Sequence, residues 1–183
     1  MPIHSVAVFC GSSDGHNPVF REQATELGKL LALNQLKCVY GGGSRGLMGR
    51  VADSLLENKG HILGIMPELL KEREHQHQGL TELTIVPDMH VRKKMMYEKS
   101  DAAIILPGGF GTLDELFEML TWNQLKIHNK KIYILNSAGY YDFLREQLLK
   151  MWNEGFLYEN PGQRIGFFNT VAEIIHQLTQ KDS

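Results

Sequence analysis

Short apolar runs alternate along the chain with longer stretches whose apolar residues recur every three or four positions. Ser5–Cys10 (SVAVFC) reads as a β-strand. A helix follows over Pro18–Asn34, with Phe20, Ala24, Leu27 and Leu31 on one stripe. Pro18 suits its first turn. Further strands are predicted at Lys37–Tyr40, His61–Met66, Leu83–Val86, Ala102–Leu106, Lys131–Leu135 and Arg164–Phe168. Helices are predicted at Leu47–Asn58, Met89–Ser100, Thr112–Gln124, Tyr141–Asn153 and Val171–Thr179. Gly60 stops the first of these. Asp88 is a natural N-cap for the second, with Val91 and Met95 facing the core. Leu113, Leu116, Phe117 and Leu120 are expected inward on the third. A capping box, Thr170 to Glu173, opens the last. Lys71–Glu82 (KEREHQHQGLTE) is polar and aperiodic and is expected to be mostly loop.

Strands alternating with helices of this length imply an α/β fold, a doubly wound parallel sheet covered by helices on both faces. Ala102–Leu106 (AAIIL) is fully apolar, as a central parallel strand should be. In such sheets ligands bind beyond the carboxyl ends of the strands, so the residues just after each strand are the place to look for chemistry.

The chain has 183 residues. That fits one domain over 1–183, large enough to bury a core without disulfides or a structural metal. Lys plus Arg is 19 and Asp plus Glu is 21, a formal charge of −2, which argues against a broad basic face for nucleic acid. A small anionic ligand needs only one or two placed cations. No apolar run approaches the roughly 18 residues that span a bilayer. The first 20 residues hold no Lys or Arg, unlike a signal peptide. Cys10 and Cys38 are expected as two buried thiols of a reducing, cytoplasmic compartment. There is no CxxC or zinc spacing. His75-Gln-His77 has no third ligand at suitable spacing and is expected to be solvated, so no metal is expected.

Two glycine-rich segments sit between a strand end and a helix start. Gly41-Gly42-Gly43-Ser44-Arg45-Gly46-Leu47-Met48-Gly49 follows the second strand, and Pro107-Gly108-Gly109-Phe110-Gly111-Thr112 follows Ala102–Leu106. One such turn is more often structural than functional. Two at corresponding strand ends favour a nucleotide-phosphate site, where glycine lets the backbone approach phosphate and the helix start offers free N–H groups. Gly41-x-Gly43-x-x-Gly46 matches the dinucleotide fingerprint only formally. No acid closes the next strand, which speaks against an NAD oxidoreductase. No Gly-Lys-Ser/Thr and no Gly-x-Ser-x-Gly are present.

Arg92 falls about 100° round the helix from Val91, at the border of core and solvent. That position suits an anion-binding side chain, although from spacing alone a solvated basic face is the plainer account. Thr112-Leu-Asp-Glu115 forms an acceptable capping box, so Glu115 is read either as a helix cap or as a carboxylate aimed at a bound sugar.

Gly41–Gly49, Met89-His90-x-Arg92-Lys93 and Pro107-Gly108-Gly109-Phe110-Gly111-Thr112-Leu113-Asp114-Glu115 together resemble the LOG (Lonely Guy) family of nucleoside 5′-monophosphate phosphoribohydrolases. Val8–Ser13, the Thr121–His128 stretch and Gly139-Tyr140-Tyr141 are similar to the same family. The resemblance implies a Rossmann-like fold, a homodimer and hydrolysis of the N-glycosidic bond of AMP or an N6-substituted AMP, with no cofactor. It implies Arg92 and Glu115 as the catalytic pair. It implies Glu74, Lys93, Gly108, Gly109, Phe110, Gly111, Thr112 and Thr121 as substrate-binding positions. Asp114 stands where plant members often carry Glu. The family has also been labelled lysine decarboxylase, and no Schiff-base lysine for a pyridoxal cofactor is evident here. A non-hydrolytic nucleotide-binding sensor or carrier on the same fold is the alternative.

Overall fold

The computed structural model describes residues 3–71 and 75–180. Its strands are β1 (Ser5–Phe9), β2 (Lys37–Tyr40), β3 (Ile62–Pro67), β4 (Glu82–Val86), β5 (Ala102–Ile105), β6 (Ile132–Leu135) and β7 (Ile165–Phe168). They form one parallel sheet in the order β4-β3-β2-β1-β5-β6-β7. The helices are α1 (Pro18–Leu33), α2 (Gly46–Glu57), α3 (Met89–Glu98), α4 (Phe110–Gln124), α5 (Asp142–Asn153) and α6 (Val171–Thr179).

Alternation along the strands divides the core. Val6, Val8 and Cys10 turn towards the face carrying α1, α2 and α6. Ala7, Phe9, Ala103 and Ile105 turn towards α3, α4 and α5. The inner strands are buried throughout, as a sheet covered on both faces requires. The expected caps form: Asp88 Oδ1 accepts from the Val91 N–H at 2.9 Å, and Thr170 and Glu173 close their reciprocal box. Cys10 and Cys38 are buried, and no disulfide joins them.

Three expectations fail locally. On α3 the buried face is Arg92, Lys93, Met96 and Tyr97, while Val91 and Met95 are only half-buried. Hydrophobic periodicity cannot register a face built on two cations. On α4 the helix begins at Phe110 rather than Thr112, and Phe117 is partly exposed while Thr112, Glu115, Leu116 and Met119 are buried. His77 is not solvated. Its Nε2 lies 2.9 Å from Asp53 Oδ1, and its Nδ1 accepts the Gly79 N–H at 3.0 Å. Gln76 bridges Gly43, and His77 N–H donates to the Gly42 carbonyl, so residues 76 and 77 lie along the first glycine segment.

Candidate active site

Strand order reverses between β1 and β5, and the turns that leave these two strands meet: the Gly11 N–H donates to the Pro107 carbonyl at 3.0 Å. A cavity of about 260 Å³ opens at this switch point. Gly11 and Ser12 line it from the β1 turn, Gly41 from the β2 turn, Met89 and Arg92 from α3, and Gly109–Thr112 with Glu115 from α4. Met48, Met96 and Leu70 give it an apolar wall.

The two glycine segments do different work. In the first, a Cβ at Gly41 would collide with the Arg92 guanidinium, and one at Gly46, where φ is +59°, with the Ser12–Ser13 backbone. Packing within the chain accounts for both. In the second, Gly108 is wedged in the same way: a Cβ there would collide with Thr112 and lie 2.9 Å from the Gly11 nitrogen. A Cβ at Gly109 or Gly111 would meet nothing within 4 Å. Neither glycine has a positive φ. Protein packing and backbone conformation therefore do not require glycine at either position, and the space beside each is open to a ligand. Two tyrosines hold this loop from behind. Tyr140 donates to the Gly108 carbonyl and Tyr141 to the Leu106 carbonyl, both at 2.7 Å.

The glycine pair also lets α4 start early. Gly109 is its N-cap and no side chain caps it, so the first N–H groups of a helix pointing at the cavity carry no side-chain partner. The capping box expected over Thr112–Glu115 does not form, because Thr112 is already the third helical residue. Glu115 is thereby released from the cap role and stands in the cavity wall, 8% exposed. Arg92 is 4% exposed and is the one cation among the cavity's described lining residues. Burying a carboxylate and a guanidinium in one cavity carries a desolvation cost that only mutual or ligand charge offsets.

The remaining expected site residues scatter. Phe110 lies at the cavity mouth, almost fully exposed. Lys93 does not line the cavity. Its Nζ sits 3.1 Å from Asp114 Oδ2 and 3.0 Å from Glu118 Oε2. Thr121, whose hydroxyl donates to the Phe117 carbonyl at 2.7 Å, lines a separate groove of about 300 Å³ between α4, α5 and residues 156–165. Glu74 lies outside the described residues. Among the described residues no cluster of His, Cys, Asp and Glu could hold a metal ion. Glu118, which pairs with Lys93, and Tyr97, which bonds Glu118, were not legible as partners of this cluster, although Glu118 follows Asp114 by one helical turn and so shares its face.

The chain is thus an α/β protein with a doubly wound parallel sheet, whose switch point carries a helix start with no side-chain cap together with a buried carboxylate and guanidinium. The chain belongs to the family described as possible lysine decarboxylase, which matches residues 48–178. It is 42% identical over 175 residues to the cytokinin riboside 5′-monophosphate phosphoribohydrolase LOG4 of Arabidopsis thaliana, covering 96% of this chain and 81% of that protein. It is 45% identical to LOG5 of the same plant over 176 residues, covering 96% and 75%. It is 41% identical to the probable LOG4 enzyme of Oryza sativa, covering 98% and 78%. In fold it is similar to the molybdenum cofactor carrier protein of Chlamydomonas reinhardtii, with TM-score 0.72, 18% identity and coverage of 97% and 98%. The molybdenum cofactor binding protein of Rippkaea orientalis matches with TM-score 0.71, 21% identity and coverage of 97% and 96%. The decarboxylase description finds no support in the cavity, whose described lining residues include no lysine.

Proposed function

We propose that the chain is a nucleoside 5′-monophosphate phosphoribohydrolase, cleaving AMP or an N6-substituted AMP to the free base and ribose 5-phosphate. The observation that carries this is the open space at Gly109 and Gly111, at an uncapped helix start in the same cavity as Glu115 and Arg92. The 5′-phosphate takes the N–H groups of that helix start, where the dipole favours an anion. The ribose then lies over the loop towards Glu115. As the C1′–N9 bond lengthens, positive charge builds on the ribose, and the Glu115 carboxylate opposes it. A water oxygen bonds to C1′ as the C1′–N9 bond breaks, its proton passes to the carboxylate, and the carboxylate hands that proton on to the departing base nitrogen. Arg92 faces the substrate's negative charge. Met48, Met89, Met96 and Leu70 offer the base an apolar wall. The names of the relatives support the same substrate class.

We place the enzyme in the cytoplasm on its two buried cysteines, and we read it as a homodimer. Leu125 and Ile127 are more than half exposed, and Phe156 and Tyr158 about three-quarters, around the groove that holds Thr121. Trp122 does not belong to this surface, since it packs against Tyr97 with ring centroids 4.8 Å apart. A second copy covering the groove would give Thr121 a route to substrate that one chain does not provide. Light scattering should give twice the 20.8 kDa chain mass.

The decisive assay is incubation with AMP, N6-isopentenyl AMP, adenosine, GMP and CMP, followed by chromatography for free base. Release of base from the adenine monophosphates, with adenosine far poorer, is expected. Binding of AMP without release would instead select the non-hydrolytic module, which the glycine loop fits equally well but the buried Glu115 does not require.

A further inference from the structure

Arg92 and Glu115 come from different helices, so something must set the distance between them. Each has a sequence neighbour in a second cross-helix pair: Lys93 follows Arg92 on α3, and Asp114 precedes Glu115 on α4. The Lys93 ammonium lies between Asp114 at 3.1 Å and Glu118 at 3.0 Å, and its side chain is only 11% exposed. The Tyr97 hydroxyl, one turn further along α3, is 3.0 Å from Glu118 Oε2 and 3.1 Å from the Glu115 carbonyl oxygen, and shares its proton between them. Glu118 is thus bound both to Lys93 and, through Tyr97, to the backbone of Glu115 itself.

This arrangement leaves Lys93 little to offer a phosphate. Two of its three N–H bonds are already spent on carboxylates. One positive charge facing two negative ones leaves the cluster net negative, which repels an anion. The charged groups paired with Lys93 are Asp114 and Glu118, and Lys93 is absent from the cavity wall.

We propose that Lys93 is a positioning residue: held between Asp114 and Glu118, it locks α3 to α4 and so fixes the separation of Arg92 and Glu115. A slide or rotation of one helix against the other cannot move the reacting pair without breaking the pair beside it, because the two are adjacent in sequence on both helices. Burial pushes the Lys93 pKa down, but Glu118 and Asp114 outweigh it and hold the ammonium above the ordinary lysine value, so it stays charged through the working pH range. This role rests on the phosphoribohydrolase reading for its kinetic test but not for its structural one.

The test compares Lys93→Met, Lys93→Arg and Glu118→Gln in the full chain. It follows kcat and KM for AMP, thermal unfolding, and the NMR signal of the Arg92 side-chain Nε–H. Lys93→Met and Glu118→Gln should each lower kcat on the order of tenfold to a hundredfold, the scale of a misplaced catalytic group, and move KM by less than about threefold. Both should shift the Arg92 signal, though Glu118 does not line the cavity. Lys93→Arg, whose guanidinium spans both carboxylates, should restore most of kcat. The double variant Lys93→Met/Glu118→Gln should be no worse than either single change. A raised KM in Lys93→Met with kcat kept and Glu118→Gln neutral would make Lys93 a substrate contact and overturn the proposal. So would lowered melting temperatures with kcat and the Arg92 signal unmoved. If the parent releases no base from AMP, the phosphoribohydrolase reading fails alone, and the Arg92 signal still decides the role of Lys93.

Discussion

The Arg92 guanidinium occupies the space that any side chain on residue 41 would need. A Cβ built on Gly41 collides with Nη2 and lies 3.2 Å from Cζ and 3.4 Å from Met48 Sδ. The first glycine segment therefore acts on the site at one remove, by leaving room for the cation. Gly41→Ala should push the guanidinium aside and lower kcat/KM for AMP on the order of a hundredfold, as a misplacement of about 1 Å can. Overpacking should also cost roughly 1–3 kcal/mol of stability. Adding Arg92→Ala should recover the stability but not the activity, which urea unfolding and steady-state kinetics on the same samples would check.

Gly109 and Gly111 predict the opposite pairing of effects. With open space around each Cβ position, alanine should fit the free protein at both. Gly111 lies inside α4, so Gly111→Ala should leave stability unchanged or raise it by up to about 1 kcal/mol. Either change places a methyl group where the proposed mechanism brings the phosphate to the backbone. Calorimetry should show AMP affinity reduced at least tenfold while the melting temperature holds or rises. Unaltered affinity in both variants would remove the phosphate from this helix start.

Glu115→Gln separates charge from shape. Because Gly109 is the N-cap residue of α4 and no capping box involves Glu115, the substitution should change stability by less than about 1 kcal/mol. On the proposed mechanism it removes the group that opposes the developing cation and accepts the proton, which should cost on the order of 10²–10⁴ in kcat. AMP should still bind. A folded variant releasing adenine at the parental rate would show that another group carries the chemistry.

The parts of this fold legible in the sequence are those governed by apolar periodicity and capping. The apolar strand cores, the stripe of α1 through Ala24, Leu27 and Leu31, and the caps at Asp88 and Thr170 follow from them. What stayed hidden depends on tertiary charge pairing. Lys93 reads as a surface lysine until Asp114 and Glu118 are brought across from α4. His77 reads as solvated until Asp53 arrives from α2. The two glycine segments look alike as sequence, and only their surroundings show that Gly41 makes room for Arg92 while Gly109 and Gly111 face open space. Thr112–Glu115 carries the residues of a capping box, but the preceding glycines let the helix begin at Phe110, which no local rule weighs.

His128 makes a prediction about acid. Asn123 donates its amide N–H to the Lys130 carbonyl at 2.9 Å and turns its oxygen to His128 Nδ1 at 2.8 Å, and the Lys130 N–H also reaches Nδ1 at 3.4 Å. Nε2 is buried and meets no hydrogen-bond partner among the described residues. The ring also packs against Trp122, with centroids 6.1 Å apart. Burial first, and the nearby Lys130 charge second, push the His128 pKa down from 6.5 to about 4. The folded state thus favours the neutral ring, and the stabilisation is fully present above pH 6.5. It falls as the pH drops from 6.5 towards 4, because the unfolded chain takes up the proton first. With the ring only partly buried, the loss should be roughly 1–2 kcal/mol rather than the full value of the shift. Depressed carboxylates such as Asp101 and Glu82 add their own acid sensitivity, but mainly at lower pH. Subtracting the urea-derived stability of His128→Gln from that of the parent, pH by pH, isolates the histidine. That difference should shrink between pH 6.5 and 4 and be flat above 7; a difference that stays constant across the whole range would mean that His128 titrates alike in the folded and unfolded chains.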